Sequence, residues 1–164
     1  MMALLCEKPF DQIQITDLTQ RAGIGYATFF RHYSATEDLL NEIAGDQIRE
    51  LLGMTIPVMR EYDSSVSLRA LCQYVYERRD LWRTLLTGGA AAAVRGEFVR
   101  QAREWSRKYQ YRETAVPIDL GTICAAGSTI DMLAWWLERV DEYTVDEMAE
   151  FIAELAIHPF VGEG

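Results

Sequence analysis

Leu18-Thr19-Gln20-Arg21-Ala22-Gly23-Ile24-Gly25-Tyr26-Ala27-Thr28-Phe29-Phe30-Arg31-His32-Tyr33 decides how the chain folds. Apolar residues at three- and four-residue steps predict a short helix over Ile15 to Ala22. Gly23 closes it, because glycine enters a left-handed cap without a steric penalty. A second short helix follows from Tyr26 to Tyr33. Two short helices joined by a glycine turn form a helix-turn-helix, the unit that lays its second helix in the DNA major groove. Leu18, Ala22, Ile24 and Phe29 are expected to share a small core, with the remaining polar positions facing outward.

Outward from this stretch the pattern stays helical, and no segment alternates with period two. Leu4-Leu5 reads as the end of a helix that stops before Pro9, and Pro9 to Gln12 as a connecting loop. Ser34 is placed to cap the next helix, with Glu37 completing a capping box. That helix passes Leu39, Leu40, Ile43, Ile48 and Leu51 and is expected to break or kink near Pro57. Further helices are predicted over Ser67 to Arg79, Leu81 to Leu86, Ala90 to Tyr109, Ile118 to Val140 and Val145 to Ile157. Gly88-Gly89 and Tyr111 to Pro117 read as loops. The expected fold class is all-α: a three-helix, N-terminal helix-turn-helix domain over 1–45, then a larger C-terminal helical domain over 46–164 for ligand binding and dimerisation.

With 164 residues, 49% of them hydrophobic, the chain can bury a core. It contains no run of about 18 uninterrupted apolar residues, and its opening residues are too quickly followed by charge for a secretory signal. The expectation is a soluble, cytoplasmic protein with no membrane partner. The three cysteines, Cys6, Cys72 and Cys124, stand far apart and read as free thiols, without the paired spacing of zinc or redox sites. No phosphate loop, nucleophile elbow or metal-spaced histidines are present, and His32 and His158 are the only histidines. Neither catalysis, nor a cofactor, nor a metal is therefore expected. The net charge of −9 argues against nonspecific coating of nucleic acid. Residues 1–50 are also acidic, holding four basic and eight acidic side chains.

The motif nevertheless has a specific look. Ala22-Gly23-Ile24, then Thr28-Phe29-Phe30-Arg31-His32-Tyr33, then Glu37, Leu39 and Leu40 resemble, in order and spacing, the DNA-binding signature of the TetR family. The similarity covers residues 3–45 well and the rest of the chain only in general layout. It implies a DNA-binding transcriptional regulator, usually a repressor, that binds a palindromic operator in double-stranded DNA as a homodimer and responds to a small-molecule effector. The family's DNA-contacting positions fall here on Gly25, Tyr26, Ala27, Thr28, Phe30, His32 and Thr36. Its helix-capping threonine falls on Gln14, a weaker cap, with the Thr16 hydroxyl nearby. Gly25 has no side-chain hydroxyl, Phe30 lacks a phenol, and Tyr26 and Thr36 stand where the family has lysines. Arg31 and His32 become the main local candidates for phosphate or base contact, His32 being open also to a hydrogen bond with backbone. Phe29 and Tyr33 read as core. The family's first helix usually runs a turn or two further and often follows a basic arm. Either the gene product is short, or residues ahead of those given hold the missing positive charge.

The C-terminal part carries all four tryptophans. Helices rich in large rings can enclose an apolar pocket, or simply fill a core with them. Tyr74, Phe98, Trp105, Tyr109, Met132 and Trp135 are the candidate pocket residues. Asp131 is read either as the partner of a cationic or hydrogen-bonding ligand or as a surface or dimer contact. Small residues over Leu120 to Ser128, with the apolar stripe Met148, Phe151, Ile152 and Leu155, place the homodimer interface on the last two long helices. The alternative reading is a helical dimeric binding protein of the same fold that has lost DNA binding.

Overall fold

A computed structural model describes residues 1–5, 7–61, 64–109 and 116–160, and within them every regular element is helical. The order is α1 (Met2–Leu5), a single 3₁₀ turn (Phe10–Gln12), α2 (Ile15–Ala22), α3 (Tyr26–Phe30) and α4 (Thr36–Glu61). Then come α5 (Ser64–Glu77), α6 (Arg79–Thr87), α7 (Ala91–Tyr109), α8 (Ile118–Leu137) and α9 (Val145–Ile152), which runs on into a π turn (Ala153–Ile157).

The head is α1 to α3 with the first turns of α4. Leu4, Leu5, Ile13, Leu18, Phe29 and Leu40 are buried there. Gly23 sits at φ 65°, ψ 30°, the left-handed cap expected of it. Its N–H donates to the Gln20 carbonyl, and Ile24 N–H donates back to the Thr19 carbonyl at 3.0 Å, which satisfies the carbonyls at the end of α2. The shared core is smaller than the sequence suggests: Ala22 is exposed, and Ile24 is 42% exposed. The tight closure at Gly23 turns both residues away from Leu18 and Phe29. The second helix is also shorter than expected, ending at Phe30.

Two expectations at α4 need correction. Its first turn is capped by Asp38, whose carboxylate accepts from Ser34 N–H at 2.8 Å and Ala35 N–H at 3.2 Å, so Ser34 and Glu37 do not form the box. The helix starts at Thr36, which puts Asp38 at the third helical position, where a carboxylate reaches back to the free N–H groups. Nor does Pro57 interrupt α4. Proline costs about 3 kcal/mol inside a helix, and here the packing of α4 against α5 and α7 outweighs it.

In the body, α4 packs on α5 and α7, α7 on α8, and α5 on α9. Trp82, Phe98, Ile130, Leu133, Trp136 and Met148 form the fully buried centre. By length and composition α8 could cross a membrane, but its inner face is core. Arg83 Nε donates to the Leu137 carbonyl at 3.0 Å, tying α6 to the negative end of α8. Trp136 Nε1 donates to the Tyr143 carbonyl at 2.9 Å and fixes the α8–α9 turn. Thr144 and Glu147 then cap α9 reciprocally. Cys72 is buried, and desolvation pushes its thiol up to about 12, so it is unreactive at neutral pH.

Candidate DNA-binding surface and internal cavity

The helix-turn-helix lies open on the outside of the head. Gln14, Thr16, Gly25, Tyr26, Ala27, Phe30, Arg31 and His32 are exposed, and Thr28 and Thr36 are half-exposed. They fall into two groups. On α3, Tyr26 and Phe30 are 54% and 46% exposed and stack on each other with ring centroids 5.0 Å apart. Arg31, just past the end of α3, reaches back toward the Thr28 hydroxyl at 3.5 Å. Gln14 begins α2, where its N–H donates to Asp17 at 2.8 Å and its side-chain oxygen lies 3.5 Å from the Thr16 hydroxyl. Thr36 opens α4, beside Glu37. His32 stands next to Tyr33, whose phenol is pushed upward by the Glu42 carboxylate that it bonds on α4. Tyr33 therefore serves to fix the chain onto α4.

Charge in the head is largely self-neutralised. Lys8 pairs with Asp17 at 2.6 Å, Arg21 with Glu7, and Arg49 with Asp46 at 2.6 Å. These cations hold the carboxyls of Glu7 and Asp17 below the usual carboxylate range, with the Gln14 N–H adding to the effect at Asp17. Among the described residues, Arg31 is the cation of residues 1–50 with no carboxylate partner. Composition showed the deficit of positive charge, whereas which cations were already engaged depended on folding.

In the body, α4, α5, α7 and α8, together with Ile157 and Phe160, line a partly open cavity of about 150 Å³. Phe98 lines it, as do Leu52, Leu71, Ala102 and Ala126, with hydroxyls from Thr55, Ser106, Thr122 and Thr129. Of the ring residues picked out from the sequence, only Phe98 is on this wall. Tyr74 is buried between α4 and α5, where its hydroxyl lies 2.9 Å from both Gln47 Oε1 and Glu50 Oε2. Trp105 lies beside Gly53, its ring at ordinary contact distance, 3.7 Å, from where a Cβ would sit. Met132 is partly buried against the core, and Trp135 is 40% exposed beneath Arg139. The side chain of Tyr109 lies outside the described residues. Asp131 is on the surface, in a two-pronged pair with Arg95 at 2.8 and 3.0 Å.

The small residues of α8 contribute to the cavity: Gly121, Thr122, Ala125, Ala126 and Thr129 lie on its wall at helical spacing. The sequence carried this signal as a run of small and hydroxyl residues, but a search for large rings passes over it. Outside, α8 and α9 present Leu120, Ile123, Trp135, Phe151 and Leu155 to solvent, while Met148 and Ile152 are buried within the chain.

Residues 2–43 match the family model of bacterial regulatory proteins, tetR family. The whole chain resembles the crystal structure of PfmR, a TetR family transcriptional regulator from Thermus thermophilus. Identity is 22%, coverage is 95% of this chain and 93% of that one, and the TM-score is 0.55. It also resembles the structure of RolR solved without ligand, at 23% identity, 93% and 92% coverage and a TM-score of 0.59. No curated protein matches the chain. The matched family is one of bacterial regulatory proteins. Residues 2–43 thus match the tetR-family model, and the chain as a whole shares the fold of these TetR-type structures.

Proposed function

We propose that the protein is a ligand-responsive repressor that binds a palindromic operator as a homodimer in the cytoplasm. The observation that carries this reading is the open face of the helix-turn-helix, where Thr28, Arg31 and His32 project to solvent with no carboxylate paired to Arg31. Tyr26, Ala27 and Phe30 add apolar surface to that face, which suits thymine methyl groups. The supporting residues Gln14, Thr16, Gly25 and Thr36 flank it at the starts of helices, where backbone N–H groups face phosphate.

One such module reads too few bases, so two are needed about one DNA turn apart. The uncovered apolar residues of α8 and α9 supply the surface for pairing. Effector response requires that the ligand bind one spacing of the heads better than the other, and a coupling of about 1–3 kcal/mol is sufficient. Two contacts offer a route: α4 runs from the head to the cavity wall, and α1 packs on α6.

The test is binding to the DNA upstream of the protein's own gene, compared with random duplex across a salt series. Preference for the upstream DNA with a shallow salt dependence is expected. Equal affinity for both favours the second reading, a dimeric binding protein that no longer holds DNA, which the ion-paired cations of the head support.

A further inference from the structure

Building on the reading that the body holds an effector, we propose that the cavity takes an uncharged molecule of single-ring size bearing one hydroxyl, and that Thr129 reads that hydroxyl. An apolar cavity of about 150 Å³ accommodates a single six-membered ring. Among the described residues, no Asp, Glu, Lys, Arg or His lies on the wall. An ion entering it would lose its hydration without gaining a partner, a cost far greater than that for a neutral ligand. The carboxylates close in sequence to wall residues, Glu97, Asp119 and Asp131, are paired with Arg100, Arg103 and Arg95.

The wall's hydroxyls are not equivalent. Thr55 donates to the Leu51 carbonyl at 2.8 Å, and Thr122 lies 2.8 Å from the Ile118 carbonyl and 2.9 Å from Ser106 Oγ. These groups are satisfied within the protein. Thr129 is 5% exposed, lines the cavity and has no hydrogen-bond partner among the described residues. Its hydroxyl is unengaged within the protein and so available to a guest in the cavity. A ligand hydroxyl satisfies Thr129 with one bond, while the attached ring fills the apolar remainder.

The experiment is calorimetric titration of the full chain with phenol, with toluene as the ring lacking a hydroxyl, and with benzoate as the charged ring. Phenol is expected to bind more tightly than toluene and at least about tenfold more tightly than benzoate. Thr129→Val should weaken phenol by about three- to tenfold and leave toluene unchanged. Ala125→Leu, which fills the cavity, should weaken phenol and toluene alike in a chain that still unfolds cooperatively. The proposal is overturned if phenol does not bind, if toluene or benzoate matches it, or if folded Thr129→Val binds phenol as the parent does. Operator binding is measured separately with and without phenol. A chain that takes phenol through Thr129 but keeps its grip on DNA upholds the cavity's chemistry and sinks only the ligand-response reading.

Discussion

Gly23 occupies a backbone conformation open to few other residues, and its surroundings isolate the reason. An added Cβ would meet nothing within 4 Å, so the φ of 65° alone opposes substitution. Gly23→Ala should therefore lower stability by about 1–2 kcal/mol, read by urea unfolding. An unchanged midpoint would show that the turn relaxes freely. Tyr74 gives a pH-dependent counterpart. Burial, together with the Glu50 carboxylate it bonds, pushes its phenol up to about 12, against an opposing effect from Arg78. The unfolded chain loses this proton near pH 10, whereas the folded chain keeps it, so the contribution is complete below pH 10 and is lost as the pH rises toward 12. Stability should fall across that window, and the fall should be shallower in Tyr74→Phe. Equal slopes for the two proteins would place the titration elsewhere.

Among the elements, α3 is the one on which the proposed DNA binding turns. It is five residues long, too short to persist alone. The glycine turn before it and Phe29 beneath it hold it in place. Because Lys8, Arg21 and Arg49 are engaged in ion pairs, Arg31 should carry most of the local phosphate contact. Arg31→Ala should weaken operator binding and reduce the magnitude of the log–log salt slope by about 1. Lys8→Ala should leave that slope nearly unchanged, and the reverse order of effects would reassign the contact. The sequence already showed α2, its glycine stop and the start of α3 because those signals are local. The capping of α4 by Asp38 was missed because Ser34 and Glu37 offered an equally plausible box one residue earlier.

For the whole molecule, the question is what covers α8 and α9. Trp135, Tyr143 and Phe151 form a row of touching rings, with centroids 5.2 and 5.8 Å apart, and Leu155 beyond them is 67% exposed. Leu155→Glu should shift the protein toward monomer in sedimentation velocity and weaken operator binding, while circular dichroism keeps its helical signature. A dimer that survives this change would move the interface off α9. Met148 and Ile152 show the limit of stripe-reading, since α9 carries both buried and exposed apolar residues and periodicity alone cannot separate them.

The residues alone established an all-helical chain, the glycine-closed helix pair and the acidity of the head, because periodicity, the conformational freedom of Gly23 and composition are properties of short stretches. Tertiary structure alone decided that Asp131 pairs with Arg95 and that Tyr74 bonds Gln47 and Glu50. It also decided that Thr129 lines a cavity, and that Arg31 has no carboxylate partner among the described residues where Lys8, Arg21 and Arg49 do. Each of these depends on which helices meet, and a side chain's partner across helices is set by packing between segments far apart in the chain.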